Sequence, residues 1–182
     1  CNALTQLSAI NRETPIMLCV QSGGGAVDAM TAIVDTMRTL PTPIITVNYS
    51  AASAAVPIVA AGTRGMRYAM PSSELGLHSN GAGIGGIQDQ RALKSINGDF
   101  ASVRRKYVGY LTKFTGKDAK FFRPYIHDSE VTWFGPEAAV EIGLVDAVLG
   151  DGGFGALMDR VMPQPQARAG GDAAAIEEMF RR

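Results

Sequence analysis

Histidine, cysteine and tryptophan are all scarce in this sequence, with two, two and one among 182 residues. Two cysteines cannot build the disulfide framework that staples small secreted domains. Cys19 stands in an apolar run and reads as a buried free thiol, which fits a reducing, cytoplasmic setting. Two histidines, His78 and His127, leave a narrow choice of imidazole for acid–base work. Charge of one sign is also lacking, because 17 basic side chains balance 17 acidic ones. No electrostatic footprint for nucleic acid or anionic lipid follows. The longest apolar run, Ala51 to Gly62, falls short of the roughly 20 apolar residues of a membrane span, and Ser53 and Pro57 interrupt it. No basic-then-apolar leader opens the chain. Cys1 instead lies within a helical pattern, so a further segment upstream is expected. What is plentiful is glycine, at 21 residues. The remaining composition is that of a globular protein, long enough for one domain with a core.

Pro15 to Val20 is a short continuous apolar run, the pattern of a buried strand, and Gln21-Ser-Gly-Gly-Gly25 ends it. Val27, Met30, Ile33, Val34, Met37 and Leu40 then recur at helical spacing until Pro41 and Pro43 stop the helix. Ile44 to Val47 reads as a second strand, Asn48 to Ser50 as a turn, and Ala51 to Ala61 as a helix of small residues closed by Gly62. Arg67 to Met70 and Glu74 to His78 read as further strands. Strands that alternate with helices predict a largely parallel α/β layer structure. After a glycine-rich stretch, 80–86, a long helix is expected from about Gln88 to Thr115. Its apolar positions, Leu93, Ile96, Phe100, Val103, Tyr107, Tyr110 and Phe114, form a three-four seam suited to another helix. A short helix, a strand over Glu130 to Phe134, a helix over Pro136 to Ile142 and a strand over Leu144 to Leu149 complete a domain of residues 1–150. Residues 151–182 read as a loosely packed extension.

A serine hydroxyl is a weak nucleophile that needs a base and donors for the developing oxyanion. Ser53 lies where a strand turns into a helix of tiny residues, a junction that exposes the side chain beside unpaired N–H groups. Taken alone, a serine such as Ser53 is more often a helix-start residue and a histidine such as His78 more often structural, and the Ser-Gly-Gly-Gly run also suits a plain turn. That run lacks the Lys-Ser/Thr of a nucleotide-binding loop.

Order and spacing join these pieces. Gln21-Ser-Gly-Gly-Gly-Ala-Val27, Tyr49-Ser-Ala-Ala-Ser-Ala-Ala55, Ala60-Ala-Gly62 and Gly76-Leu-His78, with twenty-five positions from Ser53 to His78, resemble the Clp peptidase (ClpP) family, including its phage-type members. Gly135 to Asp146 is similar to that family's closing helix and strand. The resemblance implies a single α/β domain, a ClpP/crotonase-type spiral of ββα units with a long protruding helix. It implies Ser53 as nucleophile, His78 as general base, and the N–H groups of Gly24 and Ala54 as oxyanion donors. Gly25, Ala26 and Val27 on one side, and Gly83 and Ile84 on the other, match the strands that hold an extended substrate. Close backbone pairing with a peptide favours such small residues. The implied reaction is peptide-bond hydrolysis through an acyl-enzyme, with no metal or organic cofactor. A peptide or unfolded protein is the implied substrate. The implied partners are further copies of the chain, in heptameric rings, and an AAA+ unfoldase.

Two departures stand out. Gly23 replaces the family's proline. Val131 falls where an aspartate orients the histidine, and valine can neither accept the Nδ1 hydrogen bond nor stabilise imidazolium. Asp128 or Glu130 is the expected substitute, in a loop about two residues longer here. Three other readings stay open. One is a serine–lysine dyad peptidase with Lys94 or Lys106 as base. The second is a non-catalytic ring or assembly subunit, and the third a crotonase-like acyl-CoA enzyme.

Overall fold

The computed structural model describes residues 1–79, 90–126 and 130–161, and only the backbone at 90–100 and 160. Gly83, Ile84, His127 and Asp128 lie outside the described residues.

A first helix, α1 (Asn2–Ile10), leads into strand β1 (Ile16–Ser22), helix α2 (Val27–Thr39) and strand β2 (Ile44–Ala52). Helix α2 buries Met30, Val34 and Met37, a stripe at helical spacing. It stops where Leu40 turns extended before Pro41. β2 is the axis of the sheet. β1 runs parallel to it along nearly its whole length, from Ile16 opposite Ile44 to Ser22 opposite Ala51. On the other side β2 forks. Strand β3 (Arg67–Ala69) pairs with Thr46 to Asn48, and strand β4 (Leu75–Leu77) pairs with Ala51 and Ala52, both in parallel. One strand with two successive neighbours on one side gives the curled sheet of a spiral fold. Strand β5 (Thr132–Phe134) closes on β4 antiparallel, and β6 (Ala147–Val148) pairs with β3 in parallel.

Between β2 and β3 lies α3 (Ala55–Ala60), and α4 (Gln90–Thr115) follows β4. Four further short elements lie among the described residues: α5 (Ala119–Phe122), a 3₁₀ turn (Arg123–Tyr125), α6 (Pro136–Glu141) and α7 (Gly153–Val161). Asp118 caps α5, accepting from the Phe121 N–H at 2.8 Å. α3 is buried nearly all round, which is why it consists of small and apolar residues.

Several expectations shift. The Asn48-Tyr-Ser50 segment is strand, not turn, and the helix predicted from Ala51 begins only at Ala55. The closing strand shrinks from Leu144–Leu149 to Ala147–Val148. Gly153–Val161 of the expected extension forms α7, which buries Leu157 with Ile45, Val47 and Leu149. Cys19 is exposed rather than buried, because it lies on the face of β1 opposite the buried Ile16 and Val20. The seam of α4 is also partly reassigned. Tyr107 and Phe114, with Leu111, are buried in the domain's own core, and Tyr110 donates to Asp35 of α2 at 3.2 Å.

Among the described residues, an ion pair with a buried arginine pins the scaffold. Arg67, 3% exposed, pairs with Asp146 and donates to the carbonyls of Ala60, Phe114 and Gly143. It thereby ties the ends of α3, α4 and α6 to β3. Burial alone pushes the Asp146 carboxyl up, but hydrogen bonds and charge from Arg67, with the Gly65 N–H, hold it below the usual value.

Candidate active site

The site lies at the C-terminal ends of β1, β2 and β4, where parallel strands leave their backbone groups open to a ligand. β2 ends at Ala52, and Ser53 turns the chain into α3 with a φ of +54°. Left-handed backbone is rare for a residue with a side chain and costs on the order of 1–3 kcal/mol. Two hydrogen bonds hold it there. The Ser53 N–H donates to Gly76 O at 2.8 Å, and Ser53 O accepts from the Val56 N–H at 3.0 Å. A strained strand–turn–helix corner of this kind lifts a nucleophile clear of its own sheet.

The turn after β1 folds onto this corner. Gly24 has a φ of +100°, and a Cβ there would lie 2.7 Å from Ala52 O, 2.7 Å from Ser53 Cβ and 3.0 Å from Ala54 N. Only glycine fits, and its main chain is seated directly against the serine and the first residues of α3. In this conformation the Gly24 N–H donates to Ser22 Oγ at 3.1 Å. Gly25 is also left-handed, at +142°, and Ala26 is extended, whereas Val27 opens α2 instead of continuing an extended segment. Beside Gly24 and Ala54 is a cavity of about 140 Å³, walled by Ala29, Met30 and Ile33 of α2 and by Ala55 and Ile58 of α3.

His78 follows β4. Ala52 pairs with Gly76, so Ser53 and His78 come one and two residues later on neighbouring parallel strands. The ring is half-buried, and its Nδ1 is hydrogen-bonded to the carbonyl of Ser79. Across from it runs β5, with Leu77 opposite Thr132 and Gly76 opposite Trp133. Val131, the residue before Thr132, bridges Ile126. Val131 Cγ1 and the Trp133 ring lie 2.8 Å from where a Gly76 Cβ would stand, so both cover the strand just before the histidine. Glu130 is exposed, and so is Lys106 on α4. No helix among the described residues is long and apolar enough to cross a membrane.

Residues 1–152 match the Clp protease family. The chain belongs to that family. Its relatives include the ATP-dependent Clp protease proteolytic subunit 1 of Corynebacterium jeikeium, 34% identical over 151 residues, or 82% of this chain and 78% of that protein. Subunit 3 of Streptomyces coelicolor is 34% identical over 155 residues, 82% of this chain and 67% of that one. Subunit 2 of Corynebacterium efficiens is 35% identical over 151 residues, 82% and 73% of the two chains. The spiral of a Clp protease accounts for the forked sheet.

Three features of this Clp protease site escaped the sequence. They are the Ser22 hydroxyl on the Gly24 N–H, the Ser79 carbonyl on His78, and the left-handed Ser53. The first had a local signal, since a serine two residues before a glycine N–H is a common turn partner. The other two depend on how the strands end.

Proposed function

We propose that the chain is a serine-type endopeptidase subunit that cleaves peptide bonds through an acyl-enzyme within a ring-shaped oligomer. The observation that carries this is the seat of Gly24 against Ser53, at strand ends that also bring up His78. Ser53 Oγ attacks the scissile carbonyl carbon while His78 Nε2 takes its proton. The oxyanion is received by the N–H groups of Gly24 and Ala54, with Gly24 giving up Ser22 Oγ for it. Collapse expels the amine, which leaves with the proton from His78, and water repeats the sequence on the ester.

The flanking segments, Gly25 and Ala26 on one side and Gly83 and Ile84 on the other, hold the substrate backbone. The cavity beside Gly24 and Ala54 is apolar, so it favours an apolar side chain on the acyl side of the scissile bond. Further copies in heptameric rings, an AAA+ unfoldase, a cytoplasmic setting and an extension after residue 150 complete the reading. The relatives, proteolytic subunits of ATP-dependent Clp proteases, support it. They favour it over a non-catalytic ring subunit.

Fluorogenic peptides test it. Leu or Met on the acyl side is expected to be cleaved at least about tenfold faster than Asp, since one or two lost apolar contacts are worth that much. Ser53→Ala and His78→Ala are expected to lose about 10³-fold or more. An assembled, folded protein that cleaves none of these peptides favours the non-catalytic subunit.

A further inference from the structure

We infer that the main-chain carbonyl of Ser79 orients His78, in the role that an aspartate fills in serine-protease triads. The inference rests on the reading of His78 as general base. It begins from one contact, His78 Nδ1 on Ser79 O. A carbonyl oxygen can only accept, so Nδ1 carries the proton and Nε2 keeps its lone pair. That is the tautomer a base needs to take a proton from serine.

The surroundings agree. Val131, whose side chain has no acceptor, stands just before Thr132, the partner of Leu77. Trp133 and Val131 pack over Gly76, so the edge of the strand next to His78 is apolar. Ser79 is itself buried, at 5% exposed, directly after β4. A carbonyl fixed in this way serves as a stationary acceptor, and Ser79 is a positioning residue that acts through its backbone.

A carbonyl supplies orientation without negative charge. Loss of the orienting aspartate costs about 10⁴-fold in the serine-protease precedent, chiefly through the wrong tautomer. Where a carbonyl already sets the tautomer, only the weaker stabilisation of imidazolium is missing. Val131→Asp is therefore expected to raise kcat by less than about tenfold, a small part of that precedent. A gain of about a hundredfold or more would mean that the parent ring was unoriented, and would overturn the inference.

The direct test is the tautomer. The chain has only two histidines, so ¹⁵N-histidine labelling of the assembled protein, read by magic-angle-spinning NMR above the imidazole pKa, gives two rings. The His78 signals are those lost in His78→Gln. The expected result is the Nδ1–H form. An Nε2–H form, or an average of the two, overturns the inference.

A carboxylate from Asp128 or Glu130 would also select Nδ1–H, so the same spectrum is taken on Asp128→Asn/Glu130→Gln. Here the Nδ1–H form is expected to persist, with kcat within about threefold of the parent. Its disappearance, or a fall in kcat approaching the aspartate precedent, assigns the role to a carboxylate. The single substitutions serve if the double variant does not fold. Failure of the peptidase reading itself looks different: Ser53 stays unmodified by a serine-directed probe whatever the tautomer.

Discussion

Adding one methyl group at Gly24 tests how the site is built. Its Cβ would meet Ala52 O and Ser53 Cβ at 2.7 Å and Ala54 N at 3.0 Å. Ordinary contact for such atoms is about 3.5–4.0 Å. All three are main-chain or Cβ atoms, which cannot swing aside as a long side chain could. The turn after β1 must therefore retreat from Ser53 by roughly 1 Å. The left-handed φ of +100° adds strain of roughly 1–2 kcal/mol for any residue with a side chain.

A misplacement of about 1 Å costs on the order of 10²-fold in rate, and loss of one oxyanion donor about 10²–10³-fold. For Gly24→Ala we expect kcat/KM to fall by about 10²–10³-fold, mostly in kcat, as both effects predict. Gly23→Ala is the control, since a Cβ there meets nothing within 4 Å and its φ is not left-handed. It should change kcat/KM by less than about threefold, as an unhindered surface substitution does. Steady-state hydrolysis of a fluorogenic peptide, with thermal unfolding run alongside, measures both. If Gly24→Ala keeps activity within threefold of the parent, or Gly23→Ala is equally harmful, the turn does not abut the reacting serine.

Asp146→Asn leaves the buried Arg67 without its carboxylate and is expected to cost about 3–5 kcal/mol, on the order of 10 °C in Tm. The carboxyl is held low in the folded state, so its contribution is present above the unfolded aspartate value and is lost as pH falls through the lower folded one. Tm of the parent should drop on acidification below about pH 4, and Asp146→Asn should remove that part of the drop; parallel pH profiles would count against the pair. Ser53→Gly should unfold at higher temperature than Ser53→Ala, by about 1 kcal/mol or a few degrees, because glycine is unstrained at φ +54°, and equal Tm values would contradict the strain. Light scattering should give the mass of an oligomer at micromolar concentration; a clean monomer would refute the ring.

The order of elements was legible because each rests on local spacing. The Met30, Val34, Met37 stripe marks α2, and the apolar runs mark β1 and β2. What local spacing could not supply was competition from tertiary pairing. Asn48-Tyr-Ser50 has turn composition, yet β1 runs beside it, β3 pairs with Asn48, and the Asn48 amide finds Glu74 O at 3.2 Å, so the strand continues. The seam on α4 looked like a surface for another molecule. Its C-terminal half instead lies against the domain's own core, since one apolar stripe reads alike for either neighbour. Arg67 and Asp146 are 79 positions apart, and only the spiral joins them.

At the site, Ser53 and His78 were legible as a pair through their motifs and their separation. Their immediate partners were not, because Ser79 O and the Gly24 backbone contribute atoms common to every residue. A main-chain acceptor leaves no letter in a sequence. Val131 was legible only as a missing carboxylate, and its packing over Gly76, just before His78, supplies the reason to look for another acceptor.

The central claim is that Ser53 is the nucleophile, and covalent labelling tests it most directly. The assembled protein is treated with a fluorophosphonate, digested and mapped by mass spectrometry. One adduct is expected, on Ser53, absent from Ser53→Ala and strongly slowed in His78→Ala. Equal labelling of the parent and Ser53→Ala, or an adduct on another serine, would contradict it.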